Sequence, residues 1–220
     1  MLKRLAAFLF LCLVGLTLPS RADTIGPICG SCYGSSYTLS YTTTADPNIF
    51  DVFLQVDTTD YNQGATDVLN AVALKLVSNA SSISSVTLIG APIPTGFGTT
   101  VETGLNANGC AGGSNGFFCS AYSDPASGLQ VAHSGDIYTF EWQLALTSAA
   151  DLLTGSGAAS VKALYLTSAG QQHGITSEGI TLTPGVPPPP PVPEPSSLLL
   201  LGTGMVGVAT TIRRKLARSV

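Results

Sequence analysis

Four cysteines lead the residues whose types and spacing could do chemistry: Cys29, Cys32, Cys110 and Cys119. Cys29-Gly30-Ser31-Cys32 has the C-x-x-C spacing that, in a redox enzyme, holds a low-pKa thiolate at the start of a helix. Tyr33-Gly34-Ser35-Ser36 follows it here, which is no helix start, and no strand-helix-strand pattern surrounds it. Cys110 and Cys119 bracket a Gly-rich stretch, Ala111 to Phe118, whose closure would fix a long excursion between strands. With the fifth, Cys12, set aside in the N-terminal apolar run, the even count of four in an exported chain points to disulfides, with Cys110–Cys119 and Cys29–Cys32 the favoured pairs among the three connectivities that four cysteines allow. Zinc on all four thiolates would match the count. The wide spacing of the second pair and an oxidising compartment argue against it, so no metal and no cofactor is expected.

The other candidates are thin. Glu141 could pair with Glu102 or Glu178 as the two acids of a glycoside hydrolase, but only residue type supports this, and Glu141 falls on a polar strand face. Asp57-Thr58-Thr59-Asp60 with Asp67 offers oxygen ligands for calcium, yet without the spacing of a known loop it reads as a solvated acidic turn. His133 and His173, the only histidines, lie in polar, turn-like stretches where exposure is expected. No G-x-S-x-G elbow places a serine nucleophile, and no catalytic residue is assigned.

The two ends of the chain carry the stronger signals. Lys3 and Arg4, an apolar run from Leu5 to Leu18, and the small residues of Ser20-Arg21-Ala22 form a secretory signal, with cleavage expected between Ala22 and Asp23 by signal peptidase after passage through the Sec translocon. The apolar run is too short to span a bilayer. Leu9-Phe10-Leu11 before Cys12 lacks the small residues of a lipoprotein site. Charge divides just as sharply: all 13 acids lie between Asp23 and Glu194, with only Lys75 and Lys162 against them, whereas Arg213, Arg214, Lys215 and Arg218 crowd the C-terminus. Basic residues beside an apolar segment stay cytoplasmic, which puts the acidic body outside. An acidic body also excludes nucleic acid as a partner, since phosphates require clustered Lys or Arg.

Ahead of the C-terminal apolar run stands a Pro-rich linker, residues 186–196, of extended polyproline II character. A membrane segment is expected at 197–212 and a basic cytoplasmic tail at 213–220. Val192-Pro193-Glu194-Pro195, the apolar segment, and then Arg213-Arg214-Lys215 resemble the PEP-CTERM sorting signal. The resemblance covers only Val192 to Val220. It implies recognition by an exosortase-type membrane protease, and sorting to the cell surface or beyond in bacteria that make exopolysaccharide.

The body, residues 23–185, reads as an antiparallel β-sandwich, giving an all-β chain with a signal peptide before it and one transmembrane helix after it. In Ile137 to Thr147, Tyr138, Phe140, Trp142, Leu144 and Leu146 alternate with polar or small residues, so a period of two places them on one face and Trp142 in the core. Phe50, Val52, Leu54 and Val56 alternate with Asp51, Phe53, Gln55 and Asp57; Val72, Leu74 and Leu76 flank Lys75 similarly. Further strands are expected at Tyr37–Thr42, Val86–Ile89, Val161–Thr167 and Ile180–Thr183, with turns at Asp46-Pro47-Asn48 and Gly155-Ser156-Gly157 and a capped helical turn from Ser148. Such a body is expected to be a non-enzymatic surface or matrix protein that meets extracellular polysaccharide. The alternative is an exported hydrolase acting on polysaccharide.

Overall fold

A computed structural model describes residues 23–92, 97–98, 100–124, 128–131 and 136–185. The chain divides into two units, 1–188 and 189–220, and all described residues belong to the first. The signal segment with Ala22, His133, the Pro-rich linker, the sorting residues Val192 to Pro195, the 197–212 segment and Arg213 to Lys215 lie outside them. Among the described residues no helix is long and apolar enough to cross a membrane.

Two β-sheets face each other across one core. The first runs in the order β1 (Thr24–Ile25), β2 (Ser36–Thr43), β3 (Ile49–Asp57), β10 (Ile137–Leu146), β5 (Ile83–Gly90), with β13 (Thr183–Pro184) also on β2. The second runs β12 (Gln172–Ile180), β11 (Ala159–Leu166), β4 (Val68–Lys75), β8 (Phe117–Ala121), with β9 (Leu129–Gln130) also on β4. A separate hairpin pairs β6 (Gly104–Asn106) with β7 (Gly109–Gly112). Pairing is antiparallel throughout, except that β13 runs parallel to β2. Pro184, which has no N–H to give, sits in a border strand, where sheets tolerate proline.

The alternating patterns place the core as the sequence predicts. Phe140, Trp142, Leu144 and Leu146 from β10 and Phe50, Val52, Leu54 and Val56 from β3 meet Val72, Leu74, Val161 and Tyr165 of the other sheet. Trp142 is fully buried, and its Nε1 donates to Ser120 Oγ at 3.0 Å, so the one polar atom of the indole is satisfied inside the core. The turn at Ser148 forms as a 3-10 turn, Ala149–Asp151, with Ser148 Oγ accepting from Ala150 N.

Two features differ from the expected one-sided core. β4 is buried on both faces, because a second cluster of Val68, Ala71, Ala73, Leu105, Cys119, Leu164 and Leu166 covers the outward side of its sheet. Phe53, on the nominally polar face of β3, is buried as well. The expected strand at Ile180–Thr183 is instead the end of β12 and the start of β13, with a break at residues 181–182.

Candidate functional site

The register of the two sheets gathers β2's start, β3's end, β4's start, β11's end and β12's start at one end of the sandwich. Two loops meet there. Cys29 and Cys32 stand at disulfide distance, Cα atoms 5.2 Å apart. Tyr33 and Gly34 then turn through positive φ, so no helix N-terminus faces the sulfurs and the motif lacks the setting of a redox thiolate. Gly34 is required at that turn: a Cβ there would lie 1.9 Å from the Asp60 carbonyl oxygen.

The loop is fastened to β12. Ser31 Oγ donates to Glu178 Oε1 at 2.6 Å and accepts from Ser177 N at 3.2 Å, while Thr176 Oγ1 donates to the Ser31 carbonyl at 2.8 Å. Beneath it lies a cluster of tyrosines. Tyr37 of the first sheet and Tyr165 of the second join hydroxyls across the core; Tyr37 also meets Thr176 Oγ1, and Tyr165 donates to Ser35 Oγ. Tyr33 and Tyr61 pack against the Tyr165 ring. Gly174 makes room for Tyr33, since a Cβ at that position would fall 2.2 Å from its ring. Burial pushes the Tyr165 phenol up to about 12, and burial likewise raises Tyr37 and Tyr61, the latter with added help from the hydrogen bond to Asp67.

Asp67 overturns its sequence reading. It is not a solvated acid but is almost fully buried, accepting from Tyr61 OH at 2.7 Å and Gly64 N at 2.9 Å and meeting His173 Nδ1 at 2.8 Å. Asp57 turns instead to its own loop and accepts from Thr59 N. Among the described residues no cluster of three metal-ligating side chains occurs. His173 is exposed, as expected, but as the second residue of β12 it stands beside this acid rather than free in a turn. An Asp–His pair is two-thirds of a hydrolase triad, and the third member would have to be a nucleophile at the other ring nitrogen. Here that nitrogen meets Gln63 Oε1 at 3.3 Å, so the pair ties the Gln63 loop to the start of β12.

Cys110 and Cys119 also stand at disulfide distance, Cα atoms 5.5 Å apart, and tie β7 to β8. Gly116 fits only without a side chain, because its φ is +81° and a Cβ would lie 2.3 Å from the Val77 carbonyl oxygen. The β6–β7 hairpin does not merely loop out. It roofs the second sheet, with Leu105 set against Leu164 and Leu166, and Lys162 Nζ lies 4.7 Å from the centre of the Phe117 ring.

The remaining acids are dispersed. Glu178 is held by Ser31, Glu102 is exposed between strands, and Glu141 stands in the other sheet, so sequence reasoning grouped residues that the fold puts on separate elements. Burial, then the charge of Asp51, raises the Glu141 carboxyl. On the outward face of the first sheet the register aligns Thr42, Asp51 and Gln143 across three strands, with Gln143 Nε2 donating to Asp51 Oδ1 at 3.4 Å.

The geometry defines an all-β body that carries two cysteine pairs. Residues 191–215 match the family model of the PEP-CTERM protein-sorting motif, so the chain carries that sorting motif at its C-terminal tail; the motif implies export and processing by an exosortase, a membrane protease. No curated protein matches the chain. Among solved structures it is similar to the B domain of a biofilm associated protein, at 14% identity and a TM-score of 0.37 over 67% of this chain and 37% of that one. It is also similar to a cohesin module from a Clostridium perfringens family 33 glycoside hydrolase, at 10% identity and 0.31 over 74% and 99%. A third likeness is to the C-terminal domain of the Streptococcus pyogenes antigen I/II-family protein AspA, at 13% and 0.32 over 66% and 52%.

Proposed function

We propose that this chain is a non-enzymatic protein of the cell surface or extracellular matrix, delivered by an exosortase-type protease, whose body contacts exopolysaccharide. The sorting motif at 191–215 carries the reading. Its support in the body is the outward row of Thr42, Asp51 and Gln143, which offers hydroxyl, carboxylate and amide groups to sugar hydroxyls on one sheet face. In this reading a signal peptide ending at Ala22 directs export and the 197–212 segment holds the precursor in the membrane until the tail is processed.

Intact-mass analysis of the protein from the envelope and medium of its host tests the delivery step. The tail should be lost only when the exosortase is present, and Pro193→Ala with Glu194→Ala and Pro195→Ala should block that loss while leaving export intact. Retention on the host's purified exopolysaccharide tests the contact. Asp51→Ala with Gln143→Ala should weaken retention about tenfold, equivalent to roughly 1.4 kcal/mol. Unchanged retention would remove the sheet face from the proposal, and depolymerisation of the polysaccharide would replace the binding role with hydrolysis.

A further inference from the structure

A strand at the border of a sheet presents unpaired N–H and C=O groups that will bond to a chain laid beside it. The two facing sheets have four such borders, and at three of them either the outermost strand is only two residues long or another segment of the protein lies against the edge. β1 and β13 line β2. The Cys29–Cys32 loop lies on β12, where Ser31 takes the Ser177 N–H. Gly98 and Val101 lie on β8, through Gly98 N to the Ala121 carbonyl at 2.8 Å and a reciprocal pair of bonds between Val101 and Cys119 at 2.9 Å. β5 pairs with β10 on one side, and among the described residues no backbone group of another segment bonds to its other side.

That border has the character of a contact. β5 is eight residues long and carries no charge, although the body around it is strongly acidic. Ser84, Ser85, Thr87 and Ile89 are exposed, Ile89 by 50%. A groove of about 410 Å³ runs beside it over Val86, Leu88 and Phe97. Register shifts against β10 at both ends mark bulges, the usual guard against unwanted pairing, but they leave the strand regular from Ser85 to Leu88.

We infer that β5 is the surface through which two copies of this chain associate, edge to edge and antiparallel about a two-fold axis. A symmetric contact sets a strand against its own sequence, so any charge on it would face the same charge, which is destabilising. An uncharged border on an otherwise acidic body satisfies that condition. A basic peptide partner would find no acid on this strand to meet. The pairing joins the first sheets of two bodies into one continuous sheet and leaves the outward row of Asp51 and Gln143 open on both, so the inference stands or falls apart from the polysaccharide reading.

Sedimentation equilibrium of the exported protein purified from its host, across micromolar concentrations, tests this together with the variants Thr87→Lys and Thr87→Glu. The wild type should dimerise. Each variant, with an unchanged far-UV circular dichroism spectrum, should dissociate at least about tenfold more readily, and an equimolar mixture of the two should recover a dimer containing one of each. Recovery on mixing separates a lost contact from a lost fold. A wild type that stays monomeric, as it would if β5 accepted only a strand from a different protein, overturns the inference, as do variants that dimerise like the wild type or a mixture that does not recover.

Discussion

The Cys29–Cys32 loop and the Cys110–Cys119 hairpin both bring two cysteines together, and both end on the second sheet, but they meet it with opposite chemistry. The first lies on the edge of β12 and holds it through hydroxyl and carboxylate groups, above a buried set of tyrosines. The second lies flat on the outward face and holds it with apolar side chains, converting a one-sided sheet into one buried on both faces. Polar fastening fixes direction, because each bond has a geometry; apolar cover supplies most of the free energy, because it removes surface from water. The roof should therefore matter more to stability and the clasp more to local order.

The largest effect should come from Leu164→Ala, which opens a cavity under the roof and should cost about 3 kcal/mol in urea unfolding. A cost below about 1 kcal/mol would mean the hairpin merely rests on the sheet. Next, Cys110→Ala with Cys119→Ala should cost roughly 2.5 kcal/mol by loss of chain restraint, and mass spectrometry of the unreduced protein should find no free thiol beforehand. The corresponding Cys29→Ala with Cys32→Ala closes a shorter loop and should cost roughly 2 kcal/mol. Its sharper signature is hydrogen exchange: the Ser177 amide should lose protection while Leu164 keeps it, and equal loss at both sites would erase the contrast.

The smallest effect per side chain is alkaline. Tyr165 holds its proton up to about 12 in the fold, while an unfolded chain releases it near pH 10, so the folded state binds more protons in between. Stability should be level below about pH 10 and fall by pH 11, with about 1 kcal/mol of the fall coming from Tyr165 and more from Tyr37 and Tyr61, whose phenols burial raises in the same direction. Melts that are flat through that window would show that the tyrosine end opens without unfolding.

How much of this was legible depended on whether a strand's pattern is set by water. β10 and β3 alternate because one face is wet, and their core residues could be read directly. β12 could not: His173, Gly174, Ser177 and Gly179 give no period, because its inward groups are the hydrogen-bonded Thr176 and a glycine under Tyr33 rather than a row of apolar side chains. β4 read as a short alternation because its alanines, small and apolar, do not announce the second layer above them. The burial of Asp67 had one signal, the Tyr61 six residues earlier, but the Gly64 turn that brings them together is visible only once the loop is folded. The pairing of Cys110 with Cys119 was readable from the loop between them; the use of that loop as a roof was not.

The parallel alignment of β13 with β2 has a mechanical consequence. Gly185, the last described residue, donates its N–H to Tyr41 O at 3.1 Å, at the opposite end of the sandwich from the Tyr37–Tyr165 pair, and Thr183 Oγ1 adds a bond to Leu39 O. Tension applied through Gly185 and resisted at the tyrosine end acts lengthwise along β2 and β13, stretching their bonds together in shear instead of peeling them apart one by one. We predict that single-molecule pulling between residue 185 and the Cys29–Cys32 loop will meet a higher rupture force than pulling between residue 185 and a handle at residue 43. Equal forces along the two axes would mean that the last strand carries no load.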